Sequence, residues 1–297
     1  MNIVISGCSG YLGYKLAYYL NNKGNNIFAI SSVKIKDFKN FKYEDMPNIS
    51  LEDSVIKTGI DLFIITAGFN NVDSDLDYKK ALNFKMNHLK KINKLSKKTN
   101  LKKIIYLSSI HVYSDNLTGV INEYSNTTNM SNYAKIHIKS EKYLLNNFRN
   151  SIKVIARLSN VFGYSNNSKN GNRYLANDLM EQIFRNKKLI IKSKNNFYRD
   201  FITFDYFLKS IFFIINNNQI KNEIVNISSG NSINILTMCT KIINCYYKKY
   251  KIKKPIIFKF TIDLRNKFYI ESKLRNTYGF NYKQNITKEI NSYLSSL

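Results

Sequence analysis

The 297-residue chain is 44% hydrophobic and 14% aromatic, ample material for a buried core, which excludes wholesale disorder. Its 46 lysines and arginines against 20 acids give a net charge of +26, so nucleic acid, anionic lipid and phosphorylated small molecules all come into consideration as partners. The bases are strewn among asparagines and never form a tail or arm of five or six consecutive charges, which favours a solvated basic surface over nucleic-acid binding.

The first apolar run, Ile3 to Ile5, predicts a strand that leads directly into Gly7-Cys8-Ser9-Gly10-Tyr11-Leu12-Gly13. Leu12, Leu16 and Leu20 then recur at helical spacing, and Gly24 stands where the helix would stop. A GxxGxxG run between strand and helix is the pattern of a dinucleotide cradle. Its glycines permit a tight turn, close approach of backbone N–H groups to a pyrophosphate and tight helix–strand packing. Gly7, Ser9, Gly10, Tyr11, Leu12 and Gly13 are therefore candidate cofactor contacts.

The second run, Ile27 to Ile30, ends in Ser31-Ser32-Val33-Lys34, and the first acid after it is Asp37. A carboxylate at a strand end would accept hydrogen bonds from an adenosine ribose, whereas hydroxyls and a lysine suit a ribose 2′-phosphate. NADP(H) is accordingly favoured over NAD(H), with Ser31, Ser32 and Lys34 as contacts. Further runs at Leu62 to Ile65, Ile104 to Leu107 and Val154 to Ala156 alternate with amphipathic stretches, as in a doubly wound parallel α/β sheet of Rossmann-like type.

Past residue 165 the rhythm loosens. Asn/Ser/Gly-rich loops at 165–172 and 192–196 flank helix-like stretches at Tyr174 to Arg185 and Leu236 to Lys248, and Asn244 to Tyr250 reads as a helix end. The expected division is a dinucleotide-binding domain over 1–165, with returning segments near 198–230, and a smaller α/β substrate-binding part over 166–297. Cys8, Cys239 and Cys245 lack CxxC spacing, so they read as reduced thiols, and no disulfide framework or metal site is expected. The opening MNIVISG is unlike an export signal, and the longest apolar stretch, Ile211 to Ile215, is far short of a membrane span. A soluble cytoplasmic protein is expected.

With these motifs in place, the chain resembles the extended short-chain dehydrogenase/reductases, the superfamily of nucleotide-sugar epimerases, dehydratases and reductases. Asp61 to Gly68 resembles the fourth-strand segment whose loop passes beside the cofactor, implicating Ala67 and Gly68. Met86-Asn87 resembles the family's helix asparagine. Tyr106-Leu107-Ser108-Ser109-Ile110-His111-Val112-Tyr113 resembles the strand and loop that carry the catalytic Ser/Thr. By its distance from Val112-Tyr113 that residue is Ser109, with Ser108 beside the cofactor and His111 toward the substrate. Asn132-Tyr133 resembles the start of the YxxxK helix. Arg157 to Gly163 resembles the RxxNVYG segment, Arg199 to Ile202 the RDFI segment and Asn226 to Gly230 the NIGSG segment. Asn160 and Arg199 are the substrate-side candidates in these last segments.

One departure stands out: four residues after Tyr133 the chain has His137, not lysine. Four residues is about 400° around a helix, which puts His137 on the face of Tyr133, while Lys135 and Lys139 lie well round from it. The resemblance implies that Tyr133 exchanges a proton with a sugar oxygen that Ser109 also holds, and that His137 can bond the nicotinamide ribose. An imidazole's charge near neutrality is then set by its own titration. The function expected first is NADP-dependent reduction of a keto group on a nucleotide-diphosphate sugar, often a 6-deoxy sugar, for surface-glycan synthesis. A sibling epimerase with retained NAD(P) comes second, and a non-catalytic dinucleotide sensor third. Ile110-His111 stands where a dehydratase would want Asp-Glu. A homodimer is compatible with the resemblance.

Overall fold

The computed structural model describes residues 1–36, 38–41, 59–114, 117–165, 174–186, 188–191, 197–252, 256–258 and 267–297. In chain order its first half runs β1 (Asn2–Ser6), α1 (Tyr11–Asn21), β2 (Asn26–Ile30), β3 (Lys39–Phe41), β4 (Leu62–Ile65), α2 (Asn71–Leu76), α3 (Tyr78–Thr99) and β5 (Lys103–Ser109). Then follow β6 (Gly119–Ile121), α4 (Asn132–Asn147), β7 (Ile152–Leu158), β8 (Asn160–Phe162), α5 (Leu175–Asn186), β9 (Leu189–Ile191), β10 (Tyr198–Thr203) and α6 (Phe204–Asn216). The chain closes with β11 (Glu223–Ile227), β12 (Ser232–Asn234), α7 (Ile235–Tyr250), β13 (Ile256–Phe258), β14 (Phe268–Ile270), α8 (Lys273–Asn276) and α9 (Ile286–Ser296).

Seven strands form one sheet in the order β11-β7-β5-β4-β1-β2-β3, and the pairings from β3 through β7 are parallel. The five strands expected from apolar runs are all in it. Those runs are uninterrupted because strands of this kind are covered on both faces: Ile3, Ile5, Phe63, Ile64, Ile65, Ile104 and Ile105 are completely or nearly completely buried. Strand order reverses at β1, which lies between β2 and β4, so the glycine loop after β1 opens at a topological switch point.

The first compact unit comprises Met1–Asn116, Tyr124–Leu158 and Ile214–Val225. Its core gathers Phe63, Leu89, Ile92, Ile104, Tyr106 and Leu144. The second comprises Leu117–Glu123, Ser159–Phe213 and Asn226–Leu297. In it β8, β10 and β12 make a separate sheet, and Phe162, Met180, Ile183, Phe201, Ile242 and Tyr293 share a core. The segment returning to the first unit is narrower than the expected 198–230, because β10 pairs with β8 and β12. The predicted helices at 174–185 and 236–248 are α5 and α7. The loops expected at 165–172 and 192–196 lie almost wholly outside the described residues.

Candidate active site

The glycine loop is held to the end of β2 by the Gly7 N–H, which donates to the Ile30 carbonyl at 2.8 Å. Gly7 has φ of +83°, and a Cβ there would lie 2.6 Å from Thr66 Oγ1 and 2.7 Å from the Ala67 nitrogen. A Cβ on Gly13 would lie 2.3 Å from the Gly7 carbonyl oxygen, so the loop and the first turn of α1 touch backbone to backbone. Gly10 caps α1 with no side-chain hydrogen bond, and no acid sits in the first turn. The positive end of α1 is thus left to an anion, and the loop fits the pyrophosphate of a dinucleotide. Tyr11 is buried there, and burial pushes the Cys8 thiol up, which keeps it protonated. Gly13→Ala is expected to cost about 1–3 kcal/mol of stability by overpacking, with a matching loss of dinucleotide affinity, as read by thermal melting and fluorescence titration.

At the end of β2, Ser31 is buried and its hydroxyl donates to the Val33 carbonyl two residues on, whereas Ser32 and Lys34 are exposed. The Ser31 proton is therefore committed to its own turn, and Ser32 and Lys34 carry the exposed donors. Asp37 lies outside the described residues.

β5 delivers Ser109 to the N-terminus of a 3-10 turn, Ile110–Val112, where its Oγ accepts the His111 N–H at 3.2 Å. α4 starts at Asn132, capped by Ser131, which puts Tyr133 in its first turn. Burial raises the Tyr133 phenol above its ordinary value, and the nearby Ser109 hydroxyl pulls in the opposite direction. One turn on, the His137 ring stands edge-on to Tyr133 with centroids 4.5 Å apart, and its Nδ1 is 2.7 Å from the Tyr106 hydroxyl. The His111 ring is 6.2 Å from that of Tyr133, centroid to centroid. Lys139 is exposed and donates to the Tyr78 hydroxyl, away from Tyr133.

Two expectations from sequence are corrected by this geometry. His137 was expected to have a charge near neutrality that depends on its own titration. Burial first, then the charges of Lys85 and His111, hold it well below its ordinary 6.5, so the imidazole is neutral. Asn87 is on the exposed face of α3, and the buried residue of that turn is Lys85. The Ser108 hydroxyl faces inward and donates to Glu141 Oε1 at 2.6 Å, so its side chain serves the interior. Glu141 also pairs bidentately with Arg157, at 3.1 and 2.7 Å, and the pair is buried.

Ala67 is buried and accepts a hydrogen bond from Lys85 Nζ, while Gly68 beside it is exposed. In the second unit, Asn160 Nδ2 donates to the Asp200 carbonyl at 3.0 Å. Arg199 lies over the Phe197 ring at 5.3 Å, and Asp200 accepts from the backbone and hydroxyl of Ser229. Lys85, Tyr106, Glu141 and Arg157 are the residues that sequence reasoning passed over.

The family model described as the NAD dependent epimerase/dehydratase family matches residues 3–228. The chain belongs to that family. It is 26% identical over 273 residues to a dTDP-D-glucose 4,6-dehydratase from Dictyostelium discoideum, which covers 82% of this chain and 61% of that relative. The chain thus spans less than two thirds of the length of that family relative. Among solved structures it is similar to a UDP-glucose 4-epimerase from Thermotoga maritima, with a TM-score of 0.82, 16% identity, and coverage of 99% of this chain and 98% of the other. It is also similar to a UDP-glucuronic acid 4-epimerase from Bacillus cereus in complex with UDP-glucuronic acid and NAD, with a TM-score of 0.80, 17% identity, and coverage of 99% and 98%. At these identities the two structures establish the Rossmann-like fold of the family member.

Proposed function

We propose that this family member is an NADP(H)-dependent reductase acting on a keto group of a nucleotide-diphosphate sugar. The observation that carries the reading is the placement of Ser109 at the end of β5, in the same sheet whose β1 leads into the glycine loop, with Tyr133 in the first turn of α4 near enough for Ser109 to favour its phenolate. Tyr133 gives its proton to the sugar oxygen, and Ser109 holds that oxygen in line by a hydrogen bond. His137 is neutral, and with Nδ1 engaged by Tyr106 it offers Nε2 as a donor toward the nicotinamide ribose. The nicotinamide, when bound, supplies the hydride. Ile110 is buried and His111 follows it, so the turn after Ser109 offers no carboxylate for dehydration.

The preference for NADP(H) rests on the exposed Ser32 and Lys34 at the end of β2. Wild type is expected to bind NADPH several-fold more tightly than NADH, and Lys34→Ala to narrow that gap, as measured by fluorescence titration. Equal affinities in wild type would remove the preference. A second reading, epimerisation with a retained dinucleotide, is favoured by the 4-epimerases among the similar structures. Mass spectrometry of the ligand retained on purification separates the two. A tightly kept NAD supports the epimerase, and a ligand-free chain that oxidises NADPH with a nucleotide-linked 4-keto-6-deoxy sugar supports the reductase. Neither outcome would leave the non-catalytic sensor.

A cytoplasmic role in glycan-precursor synthesis belongs to the same proposal, and a homodimer is carried by the resemblance alone. The three thiols are free and buried. Among the described residues no helix is long and apolar enough to cross a membrane.

A further inference from the structure

Lys85 lies on the buried face of α3 and is 4% exposed. Its ammonium is lodged beneath the loop after β4: Nζ donates to the Ala67 carbonyl, and a Cβ on Gly68 would lie 2.8 Å from it. Nζ also stands 5.0 Å from the centre of the Tyr106 ring. Tyr106 Oη is 2.7 Å from His137 Nδ1, and the His137 ring is 4.5 Å from that of Tyr133. Three contacts therefore join a buried lysine to the proton-carrying phenol.

A buried ammonium is costly unless a counter-charge offsets it. Among the described ion pairs none involves Lys85, and Glu141, the buried acid of α4, is committed to Arg157 and Ser108. The face of α4 that carries Tyr133 has at position 137 a neutral imidazole where YxxxK would supply a cation. We propose that Lys85 is the positioning cation of this site, doing from α3, through Tyr106 and His137, what a lysine at 137 would do from α4. This rests on the reading of Tyr133 as the proton carrier. The charge over the Tyr106 ring strengthens its O–H as a donor to Nδ1, which makes Nε2–H more positive beside Tyr133.

Burial lowers Lys85 to about 7. Lys85 faces Tyr106 from β5 and acts on His137 from α4 and His88 on its own helix; His111 and Lys91 are the further charges on those two imidazoles, and Glu141 and Tyr133 from α4 act on Tyr106. His88 is pushed down to about 3 and His137 is also depressed, while Tyr106 and Tyr133 are raised. A charge change near neutrality in this cluster is assigned to Lys85 only where it vanishes in Lys85→Met. The polarisation of Tyr133 is present below pH 7 and is lost as pH rises through it.

The test follows Tyr133 without any substrate, in full-length protein labelled with 13Cζ-tyrosine, its resonance assigned by its loss in Tyr133→Phe. In wild type the Tyr133 signal should move with a midpoint near pH 7. In Lys85→Met that movement should vanish, and Lys85→Met with His137→Lys should restore a displacement of the same sign that persists to pH 8. Lys85→Met removes a buried charge, so its melting temperature should not fall; should it fail to fold, Lys85→Arg should hold the displacement across the whole range. No midpoint in wild type, or the same midpoint in Lys85→Met, would overturn the proposal. The titration reads no turnover, so an inactive enzyme with the expected titration would defeat the functional reading and leave this one standing.

Discussion

Tyr133→Phe should lower turnover by on the order of 10²–10⁴-fold and leave dinucleotide affinity within about twofold of wild type. The phenylalanine ring keeps the shape of the first turn of α4 and its edge-on contact with His137. What it removes is the phenol hydroxyl that Ser109 steers toward ionisation. The glycine loop after β1 is untouched, so binding and chemistry should separate cleanly in NADPH titration and steady-state kinetics. Parallel loss of both would mean that the tyrosine serves packing, and full activity would remove the acid–base mechanism.

Glu141→Gln should cost about 3–5 kcal/mol of stability in urea denaturation, the magnitude expected when one partner of a buried ion pair is lost. The Arg157 guanidinium is buried under the Tyr113 ring, 4.8 Å from its centroid, and its Nη1 has no hydrogen-bond partner among the described residues. Glutamine leaves that charge uncompensated, and Ser108 loses a charged acceptor. Because β5 carries both Ser108 and Ser109, the loosened strand end should also slow turnover. Glu141→Gln combined with Arg157→Met should recover part of the stability, since the orphaned charge is gone. A loss below about 1 kcal/mol in the single variant would show that the pair is not held in the interior.

Much of the first unit was legible in the sequence for a physical reason. Strands covered on both faces must be apolar at every position, so Ile3 to Ile5 or Leu62 to Ile65 could be read without knowing their neighbours. The proposed pair Ser109 and Tyr133 could be picked out because serine, tyrosine and their spacing sit in segments with a family resemblance. Ser108 was misjudged because neighbouring strand residues face opposite ways. Ala81, Lys85, His88, Leu89 and Ile92 form the buried stripe of α3, and a lysine in such a stripe was a visible anomaly. The neutrality of His137 was beyond the sequence, because it depends on burial and on Lys85 from another helix. The small sheets of the second unit escaped for a different reason: their strands, such as Asn160–Phe162 and Ser232–Asn234, are three residues long and show no periodicity.

The central claim, that Tyr133 and Ser109 serve hydride exchange at a sugar carbon, is tested most directly by isotope transfer. The protein is incubated with NADPH deuterated at C4 and a nucleotide-linked 4-keto-6-deoxy sugar, and the recovered sugar is examined by mass spectrometry and proton NMR. One deuterium should appear on the former carbonyl carbon with wild type and none with Tyr133→Phe; a wild-type protein that binds the dinucleotide yet leaves the sugar unlabelled and still a ketone would contradict the claim.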